Sequence, residues 1–331
     1  MSRRVLLIRF SSLGDVVLTS AVVEPLVKNG FEVELLTYTP YGELFSEDKR
    51  VSVIEVAKEE VKGNLKGLIK RLNRRGYHAI LDLHANLKSF LIRNLVSAEV
   101  KEVYKKRSLQ RRFCVFLNRF GWAESLKRKT FNVVEAYART LGVLGIEVKQ
   151  PRPFIGVNAS SAEETLKRFN LQAGSYVVLG VGARYRKKEY PRFEELSKLL
   201  TARGFTVVLI GDRRDYEKTK HFKGVLNLCG KLSLSESLHV LKGARLYVGN
   251  DSGATHMARA VKTPVAVIYG GTHPCLGFAP FPDEGVVITR NLKCSPCDIH
   301  GKGDCKRNFE CLNISPQRVL EEVEKFLNPS G

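Results

Sequence analysis

The chain has 331 residues, 54 Lys and Arg against 34 Asp and Glu for a formal charge of +20, 44% hydrophobic and 9% aromatic residues, and 12 prolines. This excludes a disordered, collagen-like or small disulfide-stapled chain, and the length predicts two domains of roughly 150 residues each. The charge points to an anionic partner, whether nucleic acid, a phosphorylated metabolite or an acidic membrane surface.

Arg9 interrupts the apolar run that starts at Val5 too early for a secretion signal. No stretch approaches the roughly 18 to 20 apolar residues of a bilayer span. The expected location is therefore the cytoplasm, at most resting on a membrane. β-Branched runs at 5–10, 33–38, 51–56 and 79–83 alternate with helical patterns, and the rhythm restarts at 176–182, 206–210, 246–249, 265–269 and 286–289. That alternation predicts an α/β protein with two doubly wound Rossmann-like domains and parallel sheets. Residues 147–161 hold two prolines and a glycine and few apolar runs. The expected division is thus 1–155, 156–314 with a Cys-rich segment at 294–311, and a C-terminal helix in 315–331 that could return to the first domain.

In open α/β sheets, ligands bind beyond the carboxyl ends of the strands, so the loops there are where chemistry is sought. The first, Phe10-Ser11-Ser12-Leu13-Gly14-Asp15, leads into a helix running to about Lys28. Gly14 permits a tight turn and Asp15 brings a carboxylate to the crevice, although Ser12 and Asp15 also suit plain helix capping. The helical pattern near 107–120 combines Leu109, Phe113, Phe116, Leu117 and Phe120 with Arg107, Arg111, Arg112 and Arg119, and Trp122 follows. Residues 101–129 hold ten basic side chains against Glu102 and Glu124. This describes either a basic amphipathic helix for anionic lipid and acidic saccharide or an ordinary helix with its stripe on the core.

In the second half, Gly180-Val181-Gly182-Ala183-Arg184-Tyr185-Arg186-Lys187-Lys188 puts four cations before a helix, which suits phosphate as well as a solvated turn. Gly211-Asp212-Arg213-Arg214-Asp215 offers a carboxylate to ribose hydroxyls or to solvent. Asn250-Asp251-Ser252-Gly253-Ala254-Thr255-His256 opens a helix whose N-terminal amides, with the helix dipole behind them, would face an anion. A lone histidine such as His256 is more often a packing or hydrogen-bonding residue than a ligand, while a polar site at a switch point favours the functional reading. Cys294, Cys297, Cys305 and Cys311 follow a C-x2-C-x7-C-x5-C spacing that fits a structural zinc or iron site, with disulfides, free thiols or redox chemistry as alternatives.

Taken in order, these pieces resemble the ADP-heptose–lipopolysaccharide heptosyltransferases of glycosyltransferase family 9. They are Arg9 through Val16, Asp82-Leu83-His84-Ala85-Asn86-Leu87-Lys88-Ser89, Lys188-Glu189-Tyr190-Pro191, Gly211 to Asp215, Asn250 to His256 with Ala258, and Gly270-Gly271-Thr272. The resemblance implies a GT-B architecture, with an acceptor-binding N-terminal domain and a nucleotide-sugar-binding C-terminal domain facing a central cleft, and inverting transfer with no cofactor for catalysis. It implies Asp15 as general base, Lys88 on the acidic acceptor, Lys188 on the donor diphosphate and Asp215 on the adenosine ribose. Asp251, Ser252, Gly253, Ala254, Thr255 and His256 would contact the phosphates and sugar. Where several family members carry hydroxyl residues this chain has Ala183 and Arg184, so Arg184 is the substitute donor contact. Ser12, Gly14, Arg107 and Arg111 complete the expected acceptor contacts. The expected partners are an ADP-sugar, an acidic lipid-linked saccharide and the anionic inner face of the cytoplasmic membrane. Another nucleotide sugar or acceptor is the nearest alternative. A nucleic-acid-binding protein is the remaining one, and the chain lacks an RNA-recognition or helix-turn-helix signature for it.

Overall fold

Parallel strands make up both sheets of the computed structural model, which describes residues 3–118, 120 and 131–328. The first sheet contains β1 (Arg4–Ile8), β2 (Glu32–Tyr38), β3 (Val51–Val56), β4 (Tyr77–Asp82) and β5 (Ala98–Val103) in the order β3-β2-β1-β4-β5. The second contains β6 (Tyr176–Gly180), β7 (Thr206–Ile210), β8 (Leu226–Asn227), β9 (Leu246–Asn250), β10 (Val265–Tyr269) and β11 (Gly285–Thr289) in the order β11-β10-β9-β6-β7-β8. Both are the doubly wound α/β sheets expected from the alternating runs. The strand order reverses beside β1 in the first sheet and between β6 and β9 in the second, so polar loops gather at those carboxyl ends.

The chain separates into one unit of Met1–Lys106 with Val133–Asn158 and another of Arg107–Asn132 with Ala159–Gly331. In the first, Leu6, Ile8 and Phe10 pack with Leu36, Ile54, Leu68, Leu72 and Ile80. The single helix expected after β1 is three pieces, Leu13–Leu18, a 3-10 turn Thr19–Val22, and Val23–Lys28. Pro25 lacks an N–H and is tolerated only in the first turn of a helix, so the chain restarts just before it.

In the second unit, Val177, Leu179, Leu209, Val248 and Ile268 form the sheet side of the core, covered by Phe193, Leu196 and Leu200. The helix Pro316–Leu327 starts at the Ser315 cap with proline at its first position, as a helix N-terminus favours. It packs Val319, Leu320 and Val323 into this same core, and Arg203 pairs with Glu324 at its surface. No helix among the described residues is long and apolar enough to cross a membrane.

Candidate functional site

At the end of β1, Asp15 stands three residues after the Ser12 cap. Its Oδ2 accepts a hydrogen bond from Ser12 Oγ at 2.8 Å and lies 2.8 Å from Arg9 Nη2. Arg9 is 6% exposed and donates from Nη1 to the Leu83 carbonyl at 2.6 Å, tying the end of β1 to the end of β4. Burial opposes its charge, but the Tyr137 and Tyr104 phenols and the Asp15 carboxylate outweigh it and raise its pKa. His84 crosses Phe10 edge to face at 5.4 Å and is hydrogen-bonded to the Ser11 backbone. Burial first, then Arg9 and Lys106, hold its imidazole down at about 3, so it is neutral beside the carboxylate.

The turn after β4 is built by Asp82, whose Oδ1 accepts from the amides of His84 (3.0 Å) and Ala85 (2.8 Å). Asn86 and Ser89 then cap the helix Leu87–Leu95, which sets Lys88 on its first turn. Ser12, Gly14, Asp15 and Lys88 therefore all stand in the first unit, on the loops that follow β1 and β4.

In the second unit, Asn250 is fully buried at the end of β9. Its Nδ2 donates to the carbonyls of Val181 (3.0 Å) and Gly182 (3.2 Å), while its Oδ1 accepts from Tyr190 N at 2.9 Å. This fixes both ends of the cationic loop on the next turn. Asp251 then receives Lys188 Nζ at 2.8 Å and Thr272 Oγ1 at 2.8 Å on the same oxygen. Burial pushes the Asp251 carboxyl up, but Lys188 and the Thr272 hydroxyl outweigh it and leave its pKa below the ordinary carboxylate value. Asp251, expected to touch donor, is thus the seat of the Lys188 ammonium.

Ser252 occupies the N-cap position of the helix Gly253–Ala260 without a side-chain capping hydrogen bond, and Gly253, Ala254, Thr255 and His256 form its first turn. Beneath them the buried Tyr247 phenol is hydrogen-bonded to the Ser252 side chain and receives Thr255 Oγ1 at 3.3 Å. A Cβ at Gly180 or Gly249 would stand 2.0 or 2.2 Å from that phenol oxygen, so both strands need glycine there. His256 and Arg259 share one helix face, with Arg259 Nη1 3.2 Å from His256 Nδ1.

Asp215 packs under the ends of β6 and β7, where a Cβ on Gly182 or Gly211 would come within 2.4 or 2.7 Å of its Oδ2. Burial raises its pKa despite the hydrogen bond from Asp212 N. It lines a pocket of about 370 Å³ with Val181, Phe193, His221 and Phe222. Arg184 is exposed and lies over the Tyr185 ring at 5.4 Å.

Arg107 and Arg111 stand on or beside the helix Ser108–Asn118, both 5.0 Å from the Phe131 ring, and Arg111 is also 5.0 Å from Phe278. Arg111 Nε and Nη2 are buried without a hydrogen-bond partner among the described residues. On the same helix Leu109 is 80% exposed, and Phe113 and Phe116 are more than half exposed. Arg119 and Trp122 lie outside the described residues.

The expected zinc or iron site at Cys294, Cys297, Cys305 and Cys311 finds no support in the structure. Among the described residues no group of three or more His, Cys, Asp or Glu could hold a metal, and none of the seven cysteines is in a disulfide. Cys311 is a buried part of the core beside Leu312, Cys297 Sγ contacts the Gly271 carbonyl at 3.5 Å, and Cys305 Sγ accepts from Phe309 N at 3.3 Å. Burial first, and then the neighbouring cysteines of the same group, push up the Cys297 thiol and carry that of Cys311 to about 11.

The model of glycosyltransferase family 9 (heptosyltransferase) matches residues 66–303. Lipooligosaccharide heptosyltransferase 2 of Haemophilus influenzae is 27% identical over 195 residues, which are 53% of this chain and 56% of that protein. The chain spans between 44% and 64% of the length of the first three curated relatives it matches. In fold it is similar to the glycosyl transferase family 9 protein of Veillonella parvula, with a TM-score of 0.78, 18% identity, and coverage of 99% of this chain and 97% of that one. It is also similar to Escherichia coli heptosyltransferase WaaC with ADP, at a TM-score of 0.73, 21% identity and 98% and 99% coverage.

Proposed function

The chain belongs to glycosyltransferase family 9, and from that premise we propose that it is an inverting glycosyltransferase, moving heptose from ADP-heptose to an acidic lipopolysaccharide inner-core acceptor bearing Kdo or heptose. The observation that carries the reading is the Lys188 ammonium held on buried Asp251 beside the open first turn of the helix Gly253–Ala260. Displacing ADP from an anomeric carbon builds negative charge on the diphosphate. A fixed cation and a helix N-terminus lower that barrier because they are oriented before the bond breaks. Asp215 and its pocket receive the nucleoside, with the carboxyl accepting from ribose hydroxyls.

The attacking hydroxyl must lose a proton as the new bond forms, and Asp15 takes it. Arg9 and the Ser12 hydroxyl hold that carboxylate in one orientation, and burial makes the neutral His84 imidazole beside it a weak base. Ser12, Gly14 and Lys88 bind the acceptor from the first unit. Arg107 and Arg111 are the further cationic contacts for the acceptor, and the Arg111 N–H groups that have no partner among the described residues suit carboxylate or phosphate oxygens. No residue in this scheme calls for a metal in the chemical step.

The protein works at the inner face of the cytoplasmic membrane, on which the exposed Leu109, Phe113 and Phe116 and the exposed Arg112 rest. The testing experiment is titration of ADP by calorimetry into the wild type and Lys188→Met. The expected result is saturable binding by the wild type that weakens at least tenfold in the variant. Equal affinity in both would remove the diphosphate assignment.

A further inference from the structure

The helix Ser108–Asn118 turns one face to its own unit, that of Arg107–Asn132 with Ala159–Gly331. Arg111, Cys114 and Asn118, three and four residues apart, share that face. The Arg111 guanidinium is 5.0 Å from the Phe278 ring, and Asn118 Nδ2 donates to the Pro296 carbonyl at 3.2 Å. Between them, Cys114 Sγ lies 3.9 Å from Cys275 Sγ. Cys275 belongs to the short 3-10 turn Pro274–Leu276 after β10, where its amide donates to His273 Nδ1 at 3.1 Å. Cys114 is 5% exposed, Cys275 is partly exposed, and neither is in a disulfide. A disulfide needs its sulfurs about 2.0 Å apart. One rotamer change swings a cysteine sulfur by about 3 Å, so the gap is on the scale of a side-chain rotation.

We propose that Cys114 and Cys275 form a redox site, in which a reversible disulfide fastens the helix Ser108–Asn118 to the turn after β10 and a low-molecular-weight disulfide is the oxidant. Cys275, the more exposed thiol, attacks one sulfur of the small disulfide as its thiolate, giving a mixed disulfide and expelling one small thiolate. Cys114 then loses its proton and attacks the Cys275 sulfur, which expels the second small thiolate. The protein gives up two electrons and two protons, and the small disulfide leaves as two thiols. A partly exposed bridge is labile, the property of regulatory rather than structural disulfides. The opposite face of the same helix carries the exposed Leu109, Phe113 and Phe116. A covalent tie in the middle of the buried face suppresses local opening of the helix, so the redox state sets how firmly that apolar face is presented. The bridge is independent of the transfer reaction.

The test is incubation of the full chain with excess oxidised glutathione, followed by alkylation of the remaining thiols, digestion and mass spectrometry. The expected product is a peptide pair joined through Cys114 and Cys275, which dithiothreitol separates again. In Cys114→Ala, Cys275 is expected to stop at the mixed disulfide with glutathione, and in Cys275→Ala, Cys114 is expected to remain a thiol. Both thiols still open to alkylation in the oxidised wild type would overturn the proposal. So would Cys275 joined to another cysteine or to a second copy of the chain. On the same samples, amide hydrogen exchange across residues 108–118 is expected to slow at least tenfold on bridging and to be unaffected by glutathione in Cys114→Ala. Equal exchange in the bridged and reduced wild type would overturn the fastening of the helix. If either variant does not fold, the peptide map and exchange of the wild type still decide.

Discussion

The proposed proton acceptor Asp15 and the proposed donor clamp Lys188 each stand against a charged neighbour, Arg9 and Asp251. Asp15→Ala is expected to lower turnover by roughly 10² to 10⁴ while ADP affinity changes less than twofold, because a general base acts on the acceptor hydroxyl and not on the nucleotide. A several-fold loss or less would reduce Asp15 to a helix cap. Lys188→Met leaves Asp251 buried beside one hydroxyl, and such broken buried pairs cost about 3–5 kcal/mol. Urea denaturation should show most of that loss recovered in Lys188→Met with Asp251→Asn.

His84 adds a pH signature. Its folded pKa of about 3 lies below the unfolded value of roughly 6.5, so between those values the unfolded chain binds the extra proton and stability falls as pH falls. From pH 7 to pH 5 this contributes a loss of about 2 kcal/mol, which His84→Gln should abolish in denaturation curves at the two pH values. The loops after the strand ends were legible in sequence because Gly, Asp and Ser mark the strand-to-helix turns there. The ion pair of Arg9 with Asp15 was not, since Arg9 read as a break in an apolar run and as the start of the matching opening segment, and Tyr247 was hidden because a strand tyrosine looks like any core aromatic.

At the scale of elements, the tight fit of Tyr247 under β6 and β9 makes a sharper prediction than any surface contact. Gly180→Ala or Gly249→Ala drives a methyl into the phenol oxygen. Overpacking of this kind costs about 1–3 kcal/mol, and removing the phenol oxygen with Tyr247→Phe should recover part of it. Thermal melts of the single and double variants measure this directly. The helix Ser108–Asn118 makes the second prediction. Replacing Leu109, Phe113 and Phe116 together by Ser should reduce sedimentation with anionic lipid vesicles at least tenfold, with ADP binding retained. Undiminished sedimentation would return that face to an ordinary surface.

The strands visible in sequence were those with continuous β-branched runs, as buried parallel strands require. β5 was missed because it lies at the sheet edge and carries Glu99, Lys101 and Glu102, charges that an edge tolerates and a central strand does not. The two residues of β8 are too few for any pattern.

Across the whole molecule, the charge of +20 is spread over both halves, with 27 basic side chains in residues 1–150 and 27 in 151–331. No domain-wide basic face follows from it, and the locally dense stretches are the loop ending at Lys188 and the region of Arg107, Arg111 and Arg112. Under the proposed function these meet a diphosphate and an acidic lipid-linked saccharide, so the same excess that first suggested nucleic acid serves a reaction whose substrates are both anionic. The most direct measurement is mass spectrometry of a deacylated inner-core acceptor incubated with the purified protein and ADP-heptose, with released ADP quantified alongside. The account predicts acceptor heavier by one heptosyl residue, one ADP per transfer, and loss of both with Asp15→Ala. Unmodified acceptor with ADP bound, or ADP released at the same rate without acceptor, would contradict it.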